Sequence, residues 1–348
     1  MQDGVPGPLR ADDPREISGY ALRARVGEGG MGTVYLSHTR GGQPVALKVI
    51  RREHARDAEF RVRFAREVAA ARRVSGYHLV PVVDHDVEGP RPWLATHYVP
   101  GLPLDAVLGA HGPLPTDAVL RLTGALARAV DAVHAAGVIH RDIKPGNLLL
   151  AASGPWLLDF GIARAAGALT LTTAGRLIGS PKYMSPEHAL GRDLTPASDV
   201  FALGLLAAEA ATGQHPYGRG HGLAVAARIA GTDREPPRLD HHPQPLRQLL
   251  EGCLAARPEE RPAAREIAGM CREALGGDGG PGQGEFTCWL PDPVASAVAR
   301  IETATRPRPS SYTPTYVPTV RDPMAAGRPR PIRRSPDREG ELTARHLS

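Results

Sequence analysis

Two hydropathic rhythms divide this chain near Gly101, and that division limits what it can fold into more than any other feature. Before it, alternation of apolar and polar residues predicts strands over 20–26, 34–37 and 45–50, then over 79–83 and 93–99. One helix interrupts them over 57–74, with Phe60, Phe64, Val68 and Ala71 on a single face. After it the spacing is mostly helical. The longest amphipathic run covers 116–136, short apolar strands fall at 147–150 and 156–158, a nearly all-apolar helix covers 198–212, and two further helices cover 246–254 and 263–275. Strands first and helices afterwards predict an α+β protein: a small antiparallel-sheet lobe with one helix over 18–97 and a larger, mainly helical lobe over 98–276.

The ends read differently. Residues 1–17 are polar and proline-rich and are expected to be a disordered lead, while 277–348 turn to Gly, Pro, Arg, Ser and Thr. That tail has too few apolar groups to offset the entropy of folding, except over 289–301, where Val294, Val298 and Ile301 predict a short helix docking on the domain. No apolar stretch approaches the roughly 20 residues that cross a bilayer, and neither end reads as a signal peptide. Cys253, Cys271 and Cys288 form no Cys-x-x-Cys pair, which suits a reduced, cytoplasmic setting. The formal charge of +5 is spread along the chain with no basic run interleaved with aromatics, so no nucleic-acid partner is expected.

Only three of the 42 Lys and Arg residues are lysines, Lys48, Lys144 and Lys182. Two of them stand where phosphoryl-transfer chemistry wants a compact, rotatable ammonium rather than a flat guanidinium. Lys48 ends Val45-Ala46-Leu47-Lys48, downstream of the turn Val26-Gly27-Glu28-Gly29-Gly30-Met31-Gly32-Thr33-Val34. Alone, that G-x-G-x-x-G-x-V pattern fits a tight hairpin as well as a phosphate-binding turn. The strand expected after it argues against a dinucleotide fold, which would place a helix there. Lys48 could neutralise α- and β-phosphates, and Glu67 on the 57–74 helix could pair with it. Within His140-Arg141-Asp142-Ile143-Lys144-Pro145-Gly146-Asn147, Asp142 is placed to take a hydroxyl proton, Lys144 to steady a γ-phosphate and Asn147 to hold a magnesium ion. Asp159, in Asp159-Phe160-Gly161, supplies a second hard oxygen ligand.

With these motifs in this order the chain resembles the protein kinase superfamily, specifically the bacterial eukaryotic-like serine/threonine kinases of actinobacterial type. The resemblance covers 18–276 and extends through Gly179-Ser180-Pro181-Lys182-Tyr183-Met184-Ser185-Pro186-Glu187, Ser198-Asp199 and Arg257-Pro258-Glu259-Glu260-Arg261-Pro262. It implies a two-lobed kinase fold, a salt bridge between Glu187 and Arg261, and Asp199 bracing the catalytic loop. It also implies Thr96 as gatekeeper, adenine meeting the backbone of His97 and Val99, and Val34, Ala46 and Leu149 sandwiching the ring. Here a short strand with ordinary core packing is the competing reading.

The implied activity is transfer of the ATP γ-phosphate to Ser or Thr hydroxyls of proteins, with magnesium, or manganese in its place. Arg141 and Arg164 could grip a phosphate on Thr170, Thr172 or Thr173, unless those threonines are an incidental polar loop. Ser310-Ser311-Tyr312-Thr313-Pro314-Thr315 is either a second phosphorylated region, read by phosphothreonine-binding partners, or an inert linker. Similar kinases dimerise through the small lobe, and a homodimer is carried as an expectation from that resemblance alone.

Overall fold

The computed structural model describes residues 5–158, 181–277 and 285–305. Its small lobe is built on a five-stranded antiparallel sheet of β3 (Ala24–Glu28), β4 (Gly32–His38), β5 (Pro44–Ile50), β6 (Val82–Asp86) and β7 (Trp93–His97), in spatial order β3-β4-β5-β7-β6. Side chains of a strand alternate between faces. Val45, Leu47 and Val49 therefore bury against Leu22, Tyr35, Trp93 and Ala95 on one face. Ala46, Lys48 and Ile50 point to the other, where Ile50 meets Phe60, Phe64, Val68 and Leu94.

The first of these faces is where the expected disordered lead is corrected, since residues 5–17 fold over it. Leu9, Ile17 and Tyr20 pack on that apolar layer, and Gly7 and Arg25 exchange backbone hydrogen bonds of 2.8 Å. Asp13, 9% exposed, accepts from the Tyr35 hydroxyl at 2.6 Å and from Arg25 at 2.8 Å. A half-buried sheet needs cover on both faces, and a polar lead is held once its one buried carboxylate finds donors. The strand expected over 20–26 is split into β2 (Tyr20–Ala21), which pairs with β1 (Glu16–Ile17), and β3, whose pairing with β4 shifts register between Arg25 and Gly27.

Helix α1 (Arg52–Ala55) leads into α2 (Ala58–Ala71), where the Asp57 carboxylate caps the backbone N–H groups of Glu59 and Phe60. Phe60, Phe64, Val68 and Ala71 are buried on its sheet-facing side, as their spacing predicted, and Glu67 is buried with them.

The large lobe follows from β8 (Leu102–Pro103), α3 (Leu104–His111) and α4 (Thr116–Ala135). Strands β9 (Leu148–Ala151) and β10 (Gly154–Leu157) join β8 in a three-stranded antiparallel sheet. Then come α5 (Pro186–Ala189), α6 (Pro196–Thr212), α7 (Gly222–Ala230), α8 (Leu246–Cys253) and α9 (Ala264–Ala274). Helix α6 has proline in its first turn and ends at Gly213 in the left-handed region, φ 69°. It crosses α8 so closely that a Cβ on Gly204 would sit 2.7 Å from that of Cys253.

After α9, residues 285–290 and α10 (Asp292–Thr305) return to the domain. Val294, Val298 and Ile301 are at most 2% exposed, and each such burial contributes roughly 1.5–3 kcal/mol. Trp289 Nε1 donates to the Ala151 carbonyl at 3.1 Å, and Arg128 binds the Glu285 carboxylate at 2.6 Å. Thr305, at the end of α10, donates its hydroxyl back to the Ile301 carbonyl at 2.8 Å. Among the described residues no helix is long and apolar enough to cross a membrane.

Candidate active site

Lys48 pairs in register with Val34 on one side and Leu94 on the other, and Ala46 pairs with Thr96. Cross-strand partners share a face. Val34, Ala46, Lys48 and Thr96 thus project from the side of the sheet that α2 covers in part. Glu67 lies on the facing side of α2 and lines a cavity of ≈ 20 Å³ whose walls include Leu94, Thr96, Val80 and Leu158. Opposite, Leu148 and Leu150 are fully buried in the large lobe, so the alternation of β9 turns Leu149 the other way, against Val80 and Val99. The groups expected around an adenine are therefore divided between the two lobes, Leu149 below and the strand residues above.

Where β7 leaves the small lobe, the His97 N–H donates to the Pro81 carbonyl at 2.9 Å and the Tyr98 N–H to the Pro44 carbonyl at 3.2 Å. These bonds fix the segment that ends in Val99, whose own N–H donates to no described residue. Gln43 Nε2 meets His97 Nδ1 at 3.1 Å, so the side chain of His97 is turned to the β4–β5 connection.

The chemistry-bearing loop hangs on a single buried carboxylate. Asp199 is 1% exposed, and its Oδ2 accepts from the His140 backbone N–H at 2.8 Å and from His134 Nε2 at 2.8 Å. Its Oδ1 accepts the Arg141 backbone N–H at 2.8 Å. Three donors satisfy a charge that would otherwise be costly to bury. They hold Arg141 in the left-handed region, φ 67°, a conformation costing a side-chain-bearing residue roughly 1–3 kcal/mol. His140 is fully buried. Its Nε2 donates to the Leu158 carbonyl at 3.2 Å while its Nδ1 accepts from the Asp142 backbone N–H at 3.4 Å. The loop is thereby tied to the residue just before Asp159.

On this frame Asp142 and Lys144 meet at 2.8 Å, Nζ to Oδ2, and Asn147 Nδ2 donates to the same oxygen at 2.7 Å and to the Asp142 carbonyl at 2.9 Å. With its nitrogen engaged there, Asn147 has its amide oxygen left for a hard cation, the donor that magnesium prefers. Beyond the loop, Arg261 grips Glu187 in a two-pronged pair of 2.8 and 2.9 Å, and Ser198 Oγ donates to Glu187 at 2.6 Å. Burial alone would raise the Glu187 carboxyl, but the Arg261 and Ser198 hydrogen bonds outweigh it and hold it at about 2.

Within the glycine-rich turn, Val26 lies at the register shift and Thr33 pairs with Val49. A Cβ on Gly32 would come 2.2 Å from the Val49 carbonyl, so only glycine fits there. Asp159, Arg164, Thr170, Thr172 and Thr173 lie outside the described residues, as do Gly179, Ser180 and the 310–315 segment. His134, which completes the Asp199 network, carries no motif of its own. In the sequence it is one more polar residue in the last turn of an amphipathic helix.

A protein kinase domain model matches residues 20–270. The chain belongs to the protein kinase family. The kinase domain is 43% identical over 274 residues to the probable serine/threonine-protein kinase PkwA of Thermomonospora curvata, covering 79% of this chain and 36% of PkwA. It is 41% identical over 303 residues to the serine/threonine-protein kinase AfsK of Streptomyces coelicolor, covering 87% of this chain and 37% of AfsK. The chain thus spans little more than a third of the length of these curated relatives. In fold it matches the crystallised kinase domain of PknI from Mycobacterium tuberculosis, with TM-score 0.58 and 29% identity over 79% of this chain and 99% of that one. The kinase fold and the bacterial serine/threonine lineage expected from the motifs are both shown by these comparisons.

Proposed function

We propose that this kinase domain transfers the γ-phosphoryl group of ATP to Ser or Thr hydroxyls of protein substrates. The reading is carried by the Asp199-braced loop, which delivers the Asp142 carboxylate, the Lys144 ammonium and the Asn147 amide to one point. Asp142 orients the substrate hydroxyl and accepts its proton as the oxygen–phosphorus bond forms and the bond to the leaving ADP oxygen breaks. Lys144 balances charge on the γ-phosphoryl oxygens, and Lys48, steered by Glu67, balances it on the α- and β-phosphates. A bound magnesium ion, which Asn147 and Asp159 would hold, supplies charge neutralisation along the phosphates. Lys144 and Ser180 favour Ser or Thr over Tyr as acceptor.

Autophosphorylation of Thr170, Thr172 or Thr173 belongs to the same proposal. It is supported by Arg141 of the catalytic loop, whose buried Nε has no hydrogen-bond partner among the described residues. The tail cluster at 310–315 is proposed as a further acceptor region for phosphothreonine-reading partners, on its composition alone.

The test is phosphate incorporation from labelled ATP into the protein itself and into a generic basic acceptor. The native chain should incorporate label, and Asp142→Asn and Lys48→Met should each abolish it. Undiminished incorporation in both variants would assign the activity elsewhere. Mass mapping that finds no phosphate on Thr170, Thr172 or Thr173 would remove the activation-segment part.

A further inference from the structure

The turn between β3 and β4 is held residue by residue from the segment that leads from β5 into α2. Arg51 Nη2 donates to the Gly29 carbonyl at 3.1 Å and to the Glu28 carboxylate at 2.8 Å. Next along the turn, the Gly30 carbonyl accepts from His54 Nε2 at 3.1 Å. The Met31 carbonyl accepts the Arg51 backbone N–H at 3.0 Å, and the Met31 side chain packs on the cluster formed by Ile50, Phe60, Phe64, Val68 and Leu94. His54 is itself seated, its ring stacked on Phe60 at 4.9 Å between centroids and 21° between planes.

Peptide geometry turns these contacts into an orientation. In a trans peptide the carbonyl and the following N–H point in opposite directions. Drawing the Gly29 and Gly30 carbonyls toward Arg51 and His54 therefore turns the N–H groups of Gly30 and Met31 to the other face of the turn. Neither N–H donates to any described residue. Two adjacent free donors on one face make an anion-binding concavity, and the glycines leave it unobstructed. Glu28 completes the arrangement, since its carboxylate keeps Arg51 in place and Arg25 binds it from the other side at 2.6 Å.

We propose that Arg51 and His54 are positioning residues for phosphate transfer. They clamp the glycine-rich turn to α2, aim the Gly30 and Met31 amides at the nucleotide phosphates, and make the turn move with the helix that carries Glu67. The proposal rests on the nucleotide-binding reading above. It adds a consequence that a passive hairpin lacks, namely that displacement of α2 loosens the phosphate turn at the same time as it moves Glu67.

The experiment compares the native chain with His54→Ala, His54→Gln and Arg51→Gln. Two readouts are taken: amide hydrogen exchange over 29–32 in the ligand-free protein, and ADP affinity by calorimetry alongside KM and kcat for ATP. His54→Ala should speed exchange in the turn and weaken ADP binding by about three- to tenfold, the effect of one partly exposed hydrogen bond. KM should rise more than kcat falls, and exchange at His140 and Arg141 should not change. His54→Gln, which places an amide N–H at similar reach, should restore most of the loss. Unchanged exchange and unchanged ADP affinity in both His54→Ala and Arg51→Gln would overturn the clamp and leave the kinase reading standing. Failure of the native chain to bind ADP would overturn the nucleotide reading, and the phosphate role of the clamp with it.

Discussion

The catalytic loop and the glycine-rich turn are the two irregular segments on which the proposed chemistry depends, and they are held in opposite ways. The loop is wired from the interior. Asp199 is 1% exposed, every donor it accepts from belongs to the large lobe, and the strained Arg141 backbone is locked by that network. The turn is held from the surface, by Arg51 and Glu28 side chains that are 40% and 37% exposed. Interior hydrogen bonds to a buried charge are strong and poorly screened, whereas partly exposed ion pairs contribute little and yield to salt. The difference suits the tasks. A proton-accepting carboxylate has to stay where the substrate hydroxyl will arrive, while a turn lying over phosphates has to open for nucleotide to enter and leave.

The contrast is broken most severely at the support of the loop side, the Glu187–Arg261 pair. Arg261 is fully buried, its guanidinium also donates to the carbonyls of Ala255, Ala256 and Ala197, and Phe201 lies 4.8 Å beneath it. Arg261→Ala should cost about 3–5 kcal/mol in denaturant unfolding, because it leaves the buried Glu187 carboxylate without a countercharge and with only the Ser198 hydroxyl donating to it. The same pair predicts an acid limit. With Glu187 held at about 2 against an ordinary value of 4.5, its stabilisation is complete above pH 4.5 and is lost as pH falls through 2, on the order of 3 kcal/mol in all. Unfolding free energies that stay level across that window would show that the pair is not the acid-sensitive element.

The next effect is kinetic. Asp199→Asn keeps the shape but turns one acceptor into a donor, facing either the Arg141 backbone N–H or the His134 ring and the His140 N–H. A loop displaced by about 1 Å should lower kcat roughly a hundredfold while KM for ATP moves little. A loss smaller than tenfold would mean that the loop keeps its form without the carboxylate, and the contrast between interior and surface attachment would collapse.

How much of this was legible in the sequence follows the same line between local and distant determinants. Asp142, Lys144 and Asn147 fall within six consecutive residues, so their convergence is written into the chain itself, and α2 shows its buried face in the spacing of Phe60, Phe64 and Val68. The order of residues 5–17 was not legible, because Asp13 is held by Tyr35 and Arg25, which lie beyond any local window. Nor was the anchoring of α10, whose apolar stripe announced a docked helix but not that Trp289 just before it would donate to the Ala151 carbonyl of β9. The same limit hid His134, Arg51 and His54. Each is a polar residue on a helix or at its approach, and only the fold brings it to a carboxylate or a carbonyl.

The smallest effect sharpens the comparison most. Glu28 lies at the centre of the surface attachment, bound by Arg51 at 2.8 Å, Arg25 at 2.6 Å and Arg10 at 3.5 Å. Each such contact contributes about 1 kcal/mol or less, and the screening length falls from about 10 Å at 0.1 M salt to about 3 Å at 1 M. Raising salt across that range should therefore speed amide exchange over 29–32 severalfold in the native chain and leave His140 and Arg141 unaffected. Glu28→Gln should reach the high-salt rate already at low salt and respond little to further addition. A turn indifferent to salt in both proteins would mean that the carbonyl contacts of Arg51 and His54, together with the burial of Met31, hold it without the ion pairs. The surface charges would then tune how nucleotide approaches rather than how the turn is held.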